Sequence, residues 1–298
     1  MFRNYLLYYA VPTLYALVLE NDSGVALQIF VLYLTLSSII YVLSEEVVSP
    51  SDLALVESSI LFFQRSYVRF FGPSVQTMSL HALIHLSTQV RQFGPLTAVS
   101  ATAFENVNRL LKSCVTSKSQ QGKQMAIRFR RYQSCVSRRS GHPFPIHLGQ
   151  LKPITNDLVS EYEQIINPSF DCADRFRCGD LIFHSFQYGR HLKCASYYAY
   201  LQGENRFVKI KFIFVKDGVM KLVCRNYVTL SIFPFHNDNF VCPVSIRNFL
   251  ASRSHHHSLQ KGHVCVIHPS DCTHHAIIVK MTDSLFYGVK VINNYEHE

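Results

Sequence analysis

The spacing of apolar residues changes once along the chain, and this change limits the possible folds more than any other sequence feature. Up to residue 140, apolar side chains recur mostly at the spacing of buried or amphipathic helices. From residue 181 onward, short runs rich in Phe, Tyr, Val and Ile predict about seven strands. We therefore predict an α+β protein with a mostly helical N-terminal domain over 1–140, a linker and irregular connection over 141–180, and a small antiparallel β-barrel or sandwich domain over 181–298. The predicted strands span 181–188, 195–201, 207–215, 220–230, 263–268, 276–281 and 285–292.

Nine cysteines, an odd number without the spacing of a disulfide framework, indicate reduced thiols in an intracellular protein. Cys172 and Cys178 are too far apart in sequence for a structural zinc knuckle, so a metal is not expected there. His255, His256 and His257 fall between predicted strands. Three adjacent side chains on a loop cannot all face one metal, and the sequence therefore predicts a polar loop.

Residues 25–43 contain no charged residue, and by length and hydropathy they could span a membrane. However, no Lys or Arg occurs between Arg3 and Arg65, so the flanks lack the positive charge that usually orients a span. A helix buried inside a helical domain has the same composition. We therefore favour a buried helix, and an integral membrane protein remains the alternative.

His81 and His85 lie four residues apart on a predicted helix over residues 80–93, which places both side chains on one face. This spacing makes them weak candidates for metal ligands, because the Glu of a zinc hydrolase motif is missing between them. The favoured interpretation is structural, with one imidazole bonded to a backbone carbonyl in a helical core and the other half exposed.

Positive charge is concentrated in one segment. Between Asn106 and Thr155 there is no Asp or Glu, and removing the ten Lys and Arg of this segment from the total of 29 leaves 19 against 20 acids. Aromatic residues alternate with the arginines, as in surfaces that follow a nucleic-acid strand. The alternative is a solvated amphipathic helix. The basic residues are Arg109, Lys112, Lys118, Lys123, Arg128, Arg130, Arg131, Arg138, Arg139 and Lys152.

Several ordered motifs resemble the C-terminal half of CACTA (En/Spm-like) transposases, in the version found in animal genomes. The motifs are LYYAVPTL, VSPSDLALVESSILFFQRSYVRFFG, MSLHALIHLSTQVRQFGPLTAVSATAFENVNRLLK and QGKQMAIRF, within about residues 3–135. The closing segment AIIVKMTDSLFYGVKVINNYEHE is similar to the β-rich tail of such proteins. The resemblance implies a DDE-type nuclease with a ribonuclease-H-like core, in which two Asp and one Glu bind two divalent ions, usually Mg²⁺.

In that scheme Glu105 matches the third acid, Lys112 the basic residue two turns later, and Asn108 lies between them. The two aspartates would precede the helical insertion, which residues 4–93 resemble, and no strand-borne acid precedes Glu105 in this chain. Because one carboxylate cannot hold two ions, we expect no autonomous strand transfer and no cofactor, with Mg²⁺ only if the missing acids are supplied.

The sequence thus predicts a transposon-derived, nuclear or cytoplasmic protein that binds DNA without sequence specificity. A structural or protein-interaction remnant without nucleic-acid binding is the alternative, with a missing transposase core or a second copy as its partner; a membrane partner is not expected. The predicted DNA-binding residues are Asn108, Arg109, Lys112, Lys123, Arg128, Arg130, Arg131, Arg138 and Arg139.

Overall fold

The computed structural model describes residues 5–20, 24–99, 102–139, 144–154, 162, 170–188, 196–201, 206–230 and 242–291. Helix accounts for 50% and strand for 30% of the structure. The helices are mostly N-terminal, and the C-terminal part contains a closed six-stranded antiparallel β-barrel. The predicted α+β class is therefore confirmed.

The helical elements of the described chain follow one another closely up to residue 139. A π-helical turn over Tyr5–Ala10 runs into the first α-helix, and 3-10 turns cover Pro73–Val75, Leu83–His85 and Pro269–Asp271. The α-helices are α1 (Val11–Glu20), α2 (Gly24–Ser44), α3 (Pro50–Phe71), α4 (Met78–Ala82), α5 (Leu86–Phe93), α6 (Leu96–Val99), α7 (Thr102–Ser113), α8 (Gln121–Arg139) and α9 (Val244–Arg253).

The start of α3 is fixed by a reciprocal cap. The backbone N–H of Asp52 donates to the Ser49 hydroxyl, and the backbone N–H of Ser49 donates to the Asp52 carboxylate, both at 3.2 Å. Pro50 occupies the first helical position, where its missing N–H costs nothing.

The apolar helix α2 has the length and composition of a membrane span, with a mean hydropathy of 2.1 over its 18-residue window. In the fold, 56% of that window is buried by protein. It packs against α1, α3 and α9. Two of its buried hydroxyls are hydrogen-bonded: that of Thr35 donates to the carbonyl of Val31 at 2.7 Å, and that of Ser37 lies 3.0 Å from Nε2 of His256. Slightly more than half of this window is therefore covered by protein.

The barrel is formed by six antiparallel strands in the closed order β6-β7-β8-β9-β11-β10. β7 and β8 meet at a tight turn in which Asp217 and Gly218 have φ of 51° and 75°, the positive values that a two-residue hairpin turn needs. The strands are β1 (Ile146–Leu148), β2 (Lys152–Pro153), β3 (Asp171–Ala173), β4 (Arg175–Cys178), β5 (Leu181–His184), β6 (Tyr198–Leu201), β7 (Arg206–Lys216), β8 (Val219–Leu230), β9 (His256–Ile267), β10 (Cys272–Lys280) and β11 (Leu285–Lys290).

One apolar cluster fills the barrel interior, because all six barrel strands contribute to it. Its members are Tyr198, Tyr200, Phe207, Tyr227, Leu259, Ala276, Ile278 and Phe286. Gly288 on β11 lies against this cluster, and a Cβ added there would be 2.4 Å from Cδ1 of Leu259. The Leu259 side chain of the neighbouring strand β9 therefore occupies the space beside Gly288, and a side chain at this position would displace it.

The helices pack on the outer side of the barrel rather than standing apart from it. Tyr287 and Val289 of β11 belong to the same buried cluster as Tyr15 and Phe30 of α1 and α2. The ring centres of Tyr15 and Tyr287 are 5.7 Å apart. The helical and β-rich parts thus share a core, and the proposed boundaries at residues 140 and 180 stay a prediction.

The polar loop predicted for His255–His257 is wrong. His256 and His257 begin strand β9, and all three side chains are buried, His255 and His256 against the helices and His257 against Phe207 of β7. The His255 imidazole donates to the carbonyl of Leu7 at 3.1 Å and stacks on Tyr41. Nε2 of His256 lies 3.0 Å from the Ser37 hydroxyl. Burial therefore lowers the pKa of His255 to about 3, so this side chain is neutral.

Candidate nucleic-acid interface

The basic segment forms a pair of helices, α7 and α8, joined by the connection 114–120. Gln124 at the start of α8 fastens this connection. Its side-chain oxygen accepts from the backbone N–H of Thr116 at 3.0 Å, and its amide donates to the Ser117 hydroxyl at 2.5 Å. Cys114 is buried at the end of α7. Local contacts therefore define the orientation in which α8 leaves the loop.

The basic side chains of this helix pair face solvent. On α7, Asn108, Arg109 and Lys112 are exposed. Arg128 donates to the Thr116 hydroxyl at 3.1 Å, which keeps it beside the loop. Among the described residues of the pair, no ion pair to a carboxylate is formed. The other exposed basic side chains are Lys123, Arg130 and Arg131, all on α8.

Apolar and aromatic residues lie between these charges. Phe129 and Tyr132 stack with ring centres 6.4 Å apart. Tyr132, Ile127 and Val107 are exposed to solvent. The surface therefore combines cations with partly exposed rings, a composition suited either to nucleic acid or to an apolar partner.

Glu105 and Lys112 both lie on α7, seven positions apart. The side chain of Glu105 lies outside the part of the chain that the structure describes, as do those of Arg138 and Arg139. Within the described part, no group of three or more His, Cys, Asp or Glu residues could hold a metal ion.

The histidine pair differs from its predicted environment. His81 lies on α4 and His85 on the following 3-10 turn, and both side chains are exposed rather than packed in a core. Their Nε2 atoms are 3.4 Å apart, and the rings meet edge to face. Neither imidazole bonds to a backbone carbonyl in the described structure, so the expected structural role of the pair is wrong in this respect.

A group of charges at the junction of helices and barrel was not found from the sequence. Nε of Arg253 on α9 donates to the Asp52 carboxylate of α3 at 2.8 Å. Burial raises the pKa of Asp52, but the bonds from Arg253 and Ser49 outweigh it and hold that pKa below its usual value. Nearby, burial raises the pKa of Glu45 and lowers that of Lys290. No sequence pattern relates Asp52 to Arg253, which are 201 positions apart.

The chain matches no protein-family profile, and no curated protein or solved structure is significantly similar to it.

Proposed function

We propose that this protein binds DNA without sequence specificity through the exposed basic surface of α7 and α8. The observation that carries the proposal is the set of six exposed, described Lys and Arg side chains on this pair, Arg109, Lys112, Lys123, Arg128, Arg130 and Arg131. Because no acid occurs between Asn106 and Thr155, this positive potential is not cancelled along the chain. Double-stranded DNA has the opposite charge at high density.

The dimensions of α8 suit this partner. Its 19 residues correspond to a length of about 28 Å at about 1.5 Å per residue. Duplex DNA carries about one phosphate per 1.7 Å of its axis, so a helix of this length faces more phosphates than it has cations. Arginine forks can bond two phosphate oxygens at once, and four of the six described cations are arginines. Contacts to phosphates give affinity without sequence preference.

We propose a transposase origin for this surface on the basis of the motif resemblance. Glu105 and Lys112 on one helix then correspond to the edge of a former catalytic centre, in which Lys112 contacts a phosphate. Strand transfer would need two further carboxylates to hold the Mg²⁺ ions. We therefore expect the purified chain to show no Mg²⁺-dependent DNA cleavage, and turnover that Glu105→Ala abolishes would contradict this expectation. The nucleus is the compartment that fits a DNA-binding role.

The DNA-binding proposal is tested by salt titration of a labelled duplex with the full chain. If all six cations contact phosphates, the slope of log affinity against log salt is about −5, and a fourfold rise in salt weakens binding about 10³-fold. Arg130→Glu/Arg131→Glu should reduce the slope by about 2 and weaken binding equally for unrelated sequences.

Arg65 and Arg69 provide the matched control, because they are two exposed arginines on a different helix, α3. The double variant Arg65→Glu/Arg69→Glu changes net charge by the same amount and should leave the slope unchanged. Equal effects of the two double variants would mean that net charge alone attracts DNA. Binding that is absent, or independent of salt, would also refute the proposal.

A second candidate function, a protein-interaction surface, is favoured by the exposed apolar side chains of the same helices. Val107, Ile127 and Tyr132 are 45%, 44% and 44% exposed. Such residues are common on surfaces that pack against a partner. Under this hypothesis the chain self-associates in the absence of DNA, and Ile127→Ser/Tyr132→Ser makes it monomeric. Light scattering after size exclusion distinguishes the two cases.

A further inference from the structure

A second cationic and aromatic surface lies at one end of the barrel, far from α8 in sequence. Tyr198, Lys209 and Arg225 are directly opposed on β6, β7 and β8. Opposed residues in antiparallel strands project to the same face of the sheet. Two residues along, Tyr200 and Phe207 point into the barrel interior. Lys209 therefore lies on the same face of β7 as the interior residue Phe207, two positions further toward one open end of the barrel.

This end of the barrel, which we call the barrel mouth, consists of Phe186, Tyr197, Tyr198, Lys209 and Lys211. Nζ of Lys209 lies 3.3 Å from the ring centre of Phe186 and 5.4 Å from that of Tyr197. The two rings meet edge to face with centres 5.3 Å apart. Nζ of Lys211 is 5.5 Å from the ring centre of Phe186. The mouth thus brings two ammonium groups to one aromatic cluster.

The backbone holds this arrangement in place. The N–H of Phe186 donates to the carbonyl of Ile210 at 2.9 Å, and the N–H of Ile210 donates to the carbonyl of Tyr197 at 2.8 Å. Both rings are therefore tied to the same residue of β7. At that point the register between β7 and β8 shifts, which places Lys211 in a β-bulge. Bulges redirect side chains and are frequent beside binding sites.

The positive charges at the barrel mouth add to one local potential, because no carboxylate in the described part of the chain neutralises them. Burial, followed by the charges of Lys211 and Lys261, lowers the pKa of Lys209 to about 8. Lys261 on β9 is directly opposite Tyr227 of β8, which belongs to the same cluster as Tyr198, and it therefore adds a third lysine beside the mouth. Among the residues that the structure describes, none of these three lysines pairs with a carboxylate. Concentrated unpaired positive charge favours an anion in this position.

The exposed ring of Phe186 indicates that the ligand carries an aromatic group as well as an anion. Although Lys209 contacts its ring, Phe186 remains 48% exposed. A simple phosphate needs no exposed ring, and an uncharged aromatic ligand needs no lysines. A nucleotide satisfies both, because its phosphate pairs with ammonium groups while its base stacks on an aromatic side chain. In a duplex the bases are already stacked and paired, so the fitting ligand has an unpaired base.

We propose that the barrel mouth binds a nucleotide with an unpaired base, stacked on Phe186 and with its phosphate between Lys209, Lys211 and Lys261. The nucleotide comes either from a single strand or from a free mononucleotide. The site is independent of the basic surface of α7 and α8, which contacts duplex phosphates.

The test measures binding of labelled oligo-dT of eight residues, and of dTMP, to the full chain carrying Arg130→Glu/Arg131→Glu. This background removes the main contribution of α8, so failure of this proposal and failure of duplex binding are distinguishable. Phe186→Ala should weaken oligo-dT binding about tenfold, in the range of one lost stacking contact. Phe186→Tyr, which keeps the ring, should restore it. Lys211→Gln/Lys261→Gln should reduce the salt slope by about 1.4, the value for two contacts to a single strand.

Two control variants make the same kinds of substitution outside the barrel mouth. Phe93→Ala removes an exposed ring from α5, and Lys216→Gln/Lys221→Gln removes two lysines near the turn of the same β7–β8 hairpin. Both should bind as the parent protein does. If dTMP binds with the same variant pattern, the occupant is a free nucleotide; if only the oligonucleotide binds, it is a strand. Absence of binding to both probes, or equal loss in mouth and control variants, would overturn the proposal.

Discussion

The ion pair between Asp52 of α3 and Arg253 of α9 is expected to stabilise the whole fold, because it connects the helices to the segment that enters the barrel. The Asp52 side chain is 6% exposed and that of Arg253 is 33% exposed. Removing one partner of a buried pair costs about 3–5 kcal/mol, since the remaining charge stays desolvated. Arg253 can recover part of its hydration. We therefore expect Asp52→Asn to lower the free energy of unfolding by about 2 kcal/mol.

Two further variants separate the ion pair from the helix cap. Asp52 is the third residue of α3, and its side chain accepts from the backbone N–H of Ser49; an asparagine side-chain oxygen can accept the same bond, so Asp52→Asn largely preserves the reciprocal cap. Asp52→Ala also removes this bond and should cost about 1 kcal/mol more. Glu57→Gln is the control, because it breaks an ion pair with Arg91 whose side chains are 43% and 56% exposed. Exposed pairs contribute little, so this variant should cost less than about 0.5 kcal/mol.

The assay is urea unfolding of the full chain, followed by far-UV circular dichroism near neutral pH and again in acid. The folded-state pKa of Asp52 is lowered. Its contribution is therefore present above the unfolded pKa of about 3.9 and is lost as pH falls through the folded value. The difference between the parent and Asp52→Asn should accordingly shrink in acid. If Asp52→Asn and Glu57→Gln unfold at the same urea concentration near neutral pH, the reasoning is refuted.

Three other predictions follow from the described contacts. Gly288→Ala should destabilise the barrel by about 1–3 kcal/mol, because the added methyl group overpacks against Leu259. Gly122→Ala, on the open surface of α8, should be neutral or stabilising by up to about 1 kcal/mol. Comparing the midpoint of urea unfolding of each variant with that of the parent checks both. Burial lowers the pKa of His257 to about 4, so the unfolded state binds the proton first as pH falls. This one group should then lower stability by about 1.4 kcal/mol per pH unit between about pH 6.5 and 4, and the slope measured for His257→Gln should be smaller than that of the parent by about this amount. Arg130→Glu/Arg131→Glu should weaken duplex binding but change the free energy of unfolding by no more than about 0.5 kcal/mol, because both side chains are exposed.

The hydrophobic pattern predicted the fold class because periodicity reports which faces of local elements are buried. Each predicted strand overlaps a strand of the structure, and the turn at Asp217–Gly218 is where its residue types require it. The exposed basic helix pair was also predictable, since charged side chains in an acid-free segment have no local reason to be buried. The sequence does not select Ser49 as the cap of α3, because its neighbours Ser51 and Asp52 are residue types that cap equally well.

The histidines show why a local sequence pattern does not predict the environment of buried polar side chains. His255, His256 and His257 were assigned to a loop because three adjacent imidazoles are polar, yet α2 and the first turn of the chain provide partners such as Ser37 and the Leu7 carbonyl. These partners are more than 200 positions away in sequence, so no local pattern contains them. For His81 and His85 the error was the opposite: their apolar neighbours predicted a buried environment, but no other described element covers this face and both side chains are exposed.

The sequence by itself determined which segments become helices and strands and where positive charge accumulates, because both properties depend on neighbouring residues. Only the tertiary structure decided that a charge-free helix such as α2 is covered by protein, that Asp52 meets Arg253, and that Lys209 lies under Phe186 at an open end of the barrel. Those contacts depend on how the closed barrel and the packed helices bring distant residues together. Their energies come from desolvation and close approach, which spacing along the chain does not encode.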